Sequence, residues 1–224
     1  MIQAIIFDLD DTLISEKEYV LSGYRHIADF LAKKHQVSSE VLYRQMVGLF
    51  EQSSKQVFNR LLNNYGIPYQ NETIQELVWQ YHNHIPDIHY YSDVIPTINK
   101  LKNSDIFTGI ISDGYAITQR RKLSVLRAYD TFDNIVLTDE LGREYWKPHQ
   151  LSFEMMHEHF QVPYESMIYV GDNPEKDFYI RTIYPIVTVR IEREYGVYKS
   201  IPYFKGVKEQ YCINNLSEIV TLLK

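Results

Sequence analysis

The sequence lacks the features that would place this chain in a membrane or in an oxidising compartment. Its 224 residues include a single cysteine, Cys212, which has no second cysteine for an internal disulfide or a thiolate metal cluster. No apolar stretch reaches the roughly 18 residues that a membrane-spanning helix needs, and the amino-terminal stretch has neither a basic region nor a small-residue cleavage site. We therefore expect a soluble, unprocessed protein of the cytoplasm.

An excess of positive charge is also absent. Lysine and arginine number 23 against 29 aspartate and glutamate residues, a formal net charge of −6. This balance excludes a bulk electrostatic attraction to nucleic acid or to an anionic membrane, so we expect neither as a partner. An anionic substrate would need a local cation. With 45% hydrophobic residues and no low-complexity tract or flexible linker, the chain is long enough to bury a core.

Short apolar runs alternate with helical patterns along most of the chain. Such runs indicate buried strands, and most of them end in a polar or glycine cluster. Strands that alternate with helices predict an α/β protein with a mostly parallel, Rossmann-like sheet covered on both faces. The predicted strands are 4–7, 106–111, 134–137, 167–170 and 186–189, the predicted helices are 93–102, 117–127, 151–160 and 217–223, and a last short strand is expected after position 210.

One interval breaks this alternation. Between Thr12 and about Ser92 the sequence contains amphipathic stretches and no convincing strand. We interpret the interval as an all-helical insertion after the first strand. The predicted organisation is therefore a core of 1–14 and 91–224 with a helical domain of 15–90 inserted in it.

Carboxylates follow two of the predicted strands at their carboxyl ends. Asp8, Asp10 and Asp11 follow the first strand, and Asp172 and Asp177 follow the strand at 167–170. The carboxyl ends of parallel strands meet at one edge of a sheet, so the two clusters are expected to converge. Like charges at close range are costly without a cation. Hard oxygen ligands without a cysteine or histidine cluster favour Mg²⁺ over zinc.

Two further loops offer groups that suit an anionic substrate. Ser112, Asp113 and Gly114 directly follow a predicted strand, where a hydroxyl and loop amides can hold phosphate oxygens. Lys147 precedes Pro148, which we place in the first turn of the helix that follows, so a cation and nearby amide donors can meet a phosphate there. Together the four segments predict a phosphate-handling site.

These segments resemble the haloacid dehalogenase superfamily, specifically its phosphatase branch. The run from Asp8 to Thr12 is similar to the first motif of the family and Ser112 to the second. Lys147 is similar to the third motif, and Gly171-Asp172 with Asp177 to the fourth, in the same order and at similar spacings over residues 2 to about 190. The helical insertion resembles the C1 type of cap, which closes over the active site of such enzymes. A Rossmann-like core is implied.

The resemblance also implies roles for the matching residues. Asp8 would attack phosphorus and form an aspartyl phosphate, and Asp10 would act as acid and then as base. The metal, Mg²⁺, would bind the Asp8 side chain, the Asp10 carbonyl and the Asp172 side chain, with Asp177 binding directly or through water. Further expected site residues are Ser112, the amide of Asp113, and Lys147 on the phosphoryl group, with Thr12, Gly114 and Gly171 in support.

Two positions depart from the family pattern. Many relatives have asparagine where this chain has Asp113, which adds a negative charge near the proposed phosphate. After Asp177 many relatives continue with glycine and alanine, whereas this chain has the bulkier run from Phe178 to Arg181. The sequence therefore leaves the partner of Asp113 and the packing after Asp177 open.

Other functions remain alternatives to a phosphatase that acts on a small phosphorylated metabolite. A phosphomutase has the same first motif and would pass the phosphoryl group to a second hydroxyl. A non-enzymatic phospho-receiver module also carries paired acids, a hydroxyl and a lysine, but it needs only about 120 residues and no helical insertion. A dehalogenase typically lacks the second aspartate, which Asp10 provides here. The substrate could be a sugar phosphate, a nucleotide or another phosphoester, and the oligomeric state stays open.

Overall fold

Six short strands form one parallel sheet in the order β3-β2-β1-β4-β5-β6. Each strand pairs in parallel with its neighbours, with β1 between β2 and β4. The predicted fold class, a Rossmann-like α/β protein, is confirmed. The strands are β1 (Ala4–Phe7), β2 (Phe107–Ser112), β3 (Asn134–Leu137), β4 (Met167–Gly171), β5 (Val187–Ile191) and β6 (Tyr211–Ile213).

The structure is a computed structural model that describes residues 1–194, 196, 198 and 201–223. Contacts divide the chain into two compact units, which are Lys17–Ile88 and the combination of Met1–Glu16 with His89–Lys224. Within the described ranges, we find no helix with the length and apolar character that a membrane crossing requires.

Eight α-helices lie within the described part of the chain. They are α1 (Glu16–His35), α2 (Ser39–Gln52), α3 (Val57–Asn64), α4 (Asn71–Asn83), α5 (Val94–Lys102), α6 (Ala116–Val125), α7 (Ala128–Thr131) and α8 (Leu151–Phe160). Short 3₁₀ helices occupy Thr138–Glu140, Arg143–Tyr145, Tyr164–Ser166, Tyr179–Thr182, Phe204–Gly206 and Leu216–Leu222.

Two local predictions need correction. Pro148 was expected in the first turn of a helix, but α8 begins only at Leu151, and the Lys147–Pro148 peptide bond is cis. The first-turn prediction was therefore wrong, because the chain turns once more before the helix starts. The helix predicted at 217–223 is a 3₁₀ helix, Leu216–Leu222, that begins with a capping box between Asn215 and Glu218.

The sheet is buried on both faces, which explains why β1 is a continuous apolar run. All four residues of β1 are fully buried. Alternate strand residues point to opposite faces, and Ala4 and Ile6 belong to a cluster with Phe153 and Met156 of α8 and with Tyr169 of β4. On another part of the core, α5 contacts β2 and the 3₁₀ helix Leu216–Leu222.

The unit Lys17–Ile88 is all-helical and has a core of its own. One close approach inside it requires a glycine, because a Cβ atom at Gly23 of α1 would lie 2.3 Å from the ring of Tyr81. The missing side chain lets this ring pack against α1. The buried apolar residues of the unit are Tyr24, Ile27, Ala28, Leu31, Leu42, Met46, Leu49, Val57, Leu61, Leu62 and Leu77.

Replacing Phe153 tests the packing between α8 and the sheet. Phe153 is fully buried, and its ring meets the ring of Tyr169 edge to face at 4.9 Å. We expect Phe153→Ala to lower the free energy of unfolding by about 3–5 kcal/mol, through lost burial and the cavity left behind. Met155→Ala on the same helix, at a position 37% exposed, should cost about 1 kcal/mol or less. Equal losses in urea denaturation would contradict this account of the core.

Candidate active site

The predicted site residues gather where the strand order changes direction. β1 leads to β2 on one side of the sheet, and the chain later returns to place β4 on the other side of β1. Asp8 directly follows β1, and Asp172 directly follows β4. Ligands of open α/β sheets bind in the crevice at such a switch point, beyond the carboxyl ends of the strands.

Lys147 is the buried cation at this point. Its Nζ lies 2.8 Å from Asp8 Oδ1 and 2.9 Å from Asp177 Oδ1, and it donates to the hydroxyl of Tyr169 at 2.6 Å. The side chains of Lys147 and Asp177 are completely inaccessible to solvent. The three ammonium protons therefore each have an oxygen acceptor.

This arrangement changes the pKa values of both partners of the ion pair. Burial by itself would raise the pKa of Asp8, but the charges of Lys147 and Lys176 outweigh it and hold that pKa below its ordinary value. Burial would lower the pKa of Lys147, but the carboxylates of Asp177, Asp8 and Asp113 raise it instead. Asp8 is therefore ionised and Lys147 is charged, so the two form an ion pair in a buried environment.

Asp172 is the carboxylate that most clearly fits a cation. It is buried, and neither of its side-chain oxygens has a hydrogen-bond partner in the described part of the chain. Burial, followed by the charges of Asp177, Asp8 and Asp11, raises its pKa well above the ordinary value. Oxygen atoms of Asp8, Asp172 and Asp177 lie within 4.8 Å of one another. A divalent cation with hard oxygen ligands fits this donor set.

Asp177 is fixed by its neighbours in the loop after β4. Its Oδ1 accepts from Lys147 and from the Tyr169 hydroxyl, and its Oδ2 accepts from the Asn173 amide at 2.8 Å. A Cβ atom at Gly171 would lie 2.4 Å from Asp177 Oδ2, so this close approach requires glycine. Beyond Asp177 the bulky run is accommodated by a 3₁₀ helix, in which Ile180 is fully buried.

The extra negative charge of Asp113 has partners within the protein. Its Oδ1 accepts from the Thr138 hydroxyl at 2.7 Å and from the backbone amide of Lys147 at 3.2 Å, and its Oδ2 lies 3.3 Å from Lys176 Nζ. The side chain therefore connects the loops after β2, β3 and β4 and is neutralised by a lysine. Its predicted phosphate contact, through the backbone amide, is compatible with these bonds.

Asp10 and Ser112 share a partner on α6. Lys122 Nζ lies 2.6 Å from Asp10 Oδ1, and the Gln119 amide donates to Asp10 Oδ2 at 2.8 Å and to Ser112 Oγ at 2.6 Å. Gln119 and Lys122 are almost completely buried. Asp10 is the more accessible partner of the ion pair, with a side chain 22% exposed against 4% for Lys122.

The supporting residues shape the loops around these groups. Thr12 is fully buried, and its carbonyl, rather than its hydroxyl, is held by two bonds from the Arg193 guanidinium at 3.1 and 2.7 Å. Gly114 has a φ of +112°, a conformation that L side chains rarely adopt. The structure thus brings Asp8, Asp172, Asp177 and Lys147 together, with Asp10 and Ser112 joined through Gln119.

Sequence reasoning missed several residues of this site, which the structure assigns by contact. Lys176 lies inside the fourth motif, between Asp172 and Asp177. The extra charge of Asp113 could have suggested such a nearby cation. Gln119 and Lys122 lie three residues apart on the helix after Ser112, a spacing that places both on one helix face. Tyr169 and Arg193 carried no comparable signal, because a strand tyrosine and a lone arginine are common.

The fold is a doubly wound α/β sheet with buried carboxylates and a lysine at its switch point. Comparison with known proteins shows the family to which such a chain belongs. The family model described as haloacid dehalogenase-like hydrolase matches residues 5–179. The chain belongs to this family, which confirms the predicted family and its class of enzyme, a phosphatase-type hydrolase.

Curated relatives and a solved structure are similar over most of their lengths. A glyceraldehyde 3-phosphate phosphatase of Methanocaldococcus jannaschii is 29% identical over 240 residues, which cover 100% of this chain and 98% of the relative. The enzyme of the same name from Methanopyrus kandleri is 30% identical over 200 residues, covering 86% of this chain and 85% of the relative. The crystal structure of a HAD phosphatase from Thermococcus onnurineus has a TM-score of 0.63 at 22% identity, covering 99% of this chain and 98% of that one.

A double-mutant cycle on Asp113 and Lys176 tests their charge pairing. The variants Asp113→Asn, Lys176→Met and their combination should give non-additive losses in the free energy of unfolding, with a coupling of about 0.5–3 kcal/mol. The exposed pair of Arg120 and Glu140, with its nitrogen and oxygen 2.8 Å apart, is the control, and solvent screening should make its coupling weaker. Additive losses at Asp113 and Lys176 would show that the two side chains do not depend on each other.

Proposed function

We propose that this chain is a Mg²⁺-dependent phosphatase that hydrolyses a small phosphomonoester through an aspartyl phosphate on Asp8. The observation that carries the proposal is the ion pair of Lys147 with Asp8 at 2.8 Å, beside an Asp172 side chain whose oxygens are unpartnered among the described residues. This arrangement keeps one carboxylate ionised for attack and leaves a second one in need of a cation.

The proposed reaction has two balanced steps. Asp8 attacks phosphorus through a side-chain oxygen, the bond from phosphorus to the leaving oxygen breaks, and Asp10 gives that oxygen a proton. Water then attacks the phosphorus of the aspartyl phosphate, Asp10 takes a proton from the water, and inorganic phosphate leaves with Asp8 restored. Asp10 suits both tasks because its side chain is the accessible partner of its ion pair.

Charge repulsion is the main obstacle to the first step. Two unit negative charges about 4 Å apart repel by roughly 4 kcal/mol at an effective dielectric constant of about 20. Lys147 offsets part of this, and the Ser112 hydroxyl and Asp113 amide would bind the phosphoryl oxygens. The side chains of Asp8 and Asp172, the carbonyl of Asp10 and, directly or through water, Asp177 would hold Mg²⁺, which when bound supplies positive charge for the developing oxyanions.

We propose a small phosphorylated metabolite as the substrate, with glyceraldehyde 3-phosphate as the first compound to test. The support is the name shared by the two archaeal relatives, at 29% and 30% identity. We also propose that the helical segment 15–90 acts as the cap that selects the substrate. The chain enters and leaves this segment close to the site, because Ile14 forms β-bridges with both Asp10 and Tyr90.

Replacing the two aspartates of the first motif tests the proposed steps. With Mg²⁺ and glyceraldehyde 3-phosphate, we expect Asp8→Asn to reduce phosphate release to background, because the nucleophile is lost. Asp10→Asn should slow turnover by about 100-fold or more, through loss of acid and base catalysis. Asp130→Asn, at an exposed position of the same unit, is the charge-matched control and should retain full activity.

Acid quenching during turnover should trap a phosphoenzyme in the wild type and none in Asp8→Asn. Full phosphate release by Asp8→Asn would exclude the proposed nucleophile. Conversion of a hexose phosphate to its isomer without free phosphate would instead identify a phosphomutase.

Replacing Asp172 tests the proposed cation site through its effect on the free energy of unfolding. Its raised pKa means that metal-free protein binds more protons when folded than when unfolded at this group, so stability should fall as the pH rises through that pKa. Asp172→Asn should remove this loss. Saturating Mg²⁺ should stabilise the wild type, by about 2.7 kcal/mol at 100 times the dissociation constant, and should have little effect on Asp172→Asn. Equal stabilisation of both proteins in thermal denaturation would contradict the assignment.

A further inference from the structure

Two side chains of α6 lie behind the residues to which catalysis is assigned. Gln119 is 1% exposed and Lys122 is 3% exposed, and both point to Asp10. We propose that Gln119 and Lys122 are positioning residues: together they orient the Asp10 carboxylate, and Gln119 also orients the hydroxyl of Ser112. This inference rests on the proposed function, in which Asp10 transfers protons and Ser112 binds the phosphoryl group.

The contacts of Asp10 leave little freedom for its carboxylate. Lys122 occupies Oδ1 at 2.6 Å and Gln119 occupies Oδ2 at 2.8 Å. Both donors come from the same helix, three residues apart, so they form a rigid pair of attachment points. The carboxylate is thus held from the protein side, while its remaining exposed surface can face substrate or water.

The hydrogen bonds of Gln119 also determine what Ser112 can do. The Gln119 NH₂ group faces Asp10, because its nitrogen donates to Asp10 Oδ2 at 2.8 Å. The same nitrogen lies 2.6 Å from Ser112 Oγ, which must accept its second proton. The Ser112 hydroxyl proton is then available to another acceptor, and in the described structure it makes a long contact with the Asp113 carbonyl at 3.5 Å. A phosphoryl oxygen would be a better acceptor than this long contact.

The free-energy cost of burying the Gln119 and Lys122 side chains argues against a purely structural role. Lys122 and Gln119 are on the same helix as the fully buried Leu123. Burying an ammonium group and an amide costs free energy that an apolar pair of similar size would avoid. Here that cost is offset by bonds to a carboxylate and a hydroxyl that both belong to the proposed reaction.

The proposal predicts different kinetic effects for the two residues, because Gln119 donates to Ser112 as well as to Asp10. We expect Lys122→Met to lower kcat by about tenfold or more, since displacement of a reacting group by about 1 Å can cost about 100-fold. Its affinity for inorganic phosphate should stay within about twofold of the wild type. Gln119→Met should lower kcat and also weaken phosphate binding about fivefold, the equivalent of one hydrogen bond.

The experiment measures kcat with p-nitrophenyl phosphate and binding of inorganic phosphate by calorimetry, both with the Mg²⁺-loaded chain of 224 residues. Lys122→Arg keeps a cationic donor and should recover most of the activity that Lys122→Met loses. Arg121→Met removes one positive charge from an exposed position of the same helix and should leave both quantities unchanged. Thermal denaturation of each variant establishes that it is folded.

The outcomes separate this inference from the proposed function. An unchanged kcat in folded Lys122→Met would overturn the positioning role. The role would also be overturned if the two variants, Lys122→Met and Gln119→Met, each lost kcat and phosphate affinity by the same factor. If Lys122→Met does not fold, Gln119→Met decides: a loss of kcat together with phosphate binding weakened about fivefold supports the positioning role, and an unchanged kcat refutes it. Phosphate release by Asp8→Asn at the wild-type rate would instead reject the proposed function itself.

Discussion

The site depends on one buried ammonium group. Lys147 has no access to solvent, and its Nζ bonds Asp8 and Asp177, while its backbone amide bonds Asp113. A buried charge is stable only when it is paired and fully hydrogen-bonded, so these carboxylates and the lysine require one another. The three acids come from the loops after β1, β2 and β4. Their common partner therefore fixes the relative positions of those loops.

Three aspartates of the proposed site differ in how nearby positive charges neutralise them, and this difference suits them to different tasks. Asp8 has a lysine and a lowered pKa, whereas Asp172 has no hydrogen-bond partner among the described residues and a raised pKa. Asp10 is held by Lys122 and Gln119 at a more accessible place. The same functional group thus serves as proposed nucleophile, cation ligand and proton carrier, because burial and local charge differ around each copy.

The structure accommodates both departures from the family pattern, one by charge pairing and one by local packing. An aspartate at position 113 adds a negative charge, and Lys176 lies 3.3 Å from it. The loop after β2 therefore gains a connection to the loop after β4 without a net change in charge. The bulky residues after Asp177 are accommodated in a 3₁₀ helix, in which Ile180 is fully buried.

The sequence by itself determined the fold class, since apolar runs of strand length, alternating with helical patterns, can be buried only in a parallel sheet covered on both faces. The five predicted strands within residues 4–189 begin and end within two residues of the observed bounds, and β1 and β3 match completely. The acids after β1 and β4 indicated the site because parallel strands direct their carboxyl ends to one edge. Only the tertiary structure decided which charges pair. The contacts of Lys176 with Asp113 and of Gln119 with Asp10 join segments that are distant in the sequence, and they form only when the strands and helices pack together.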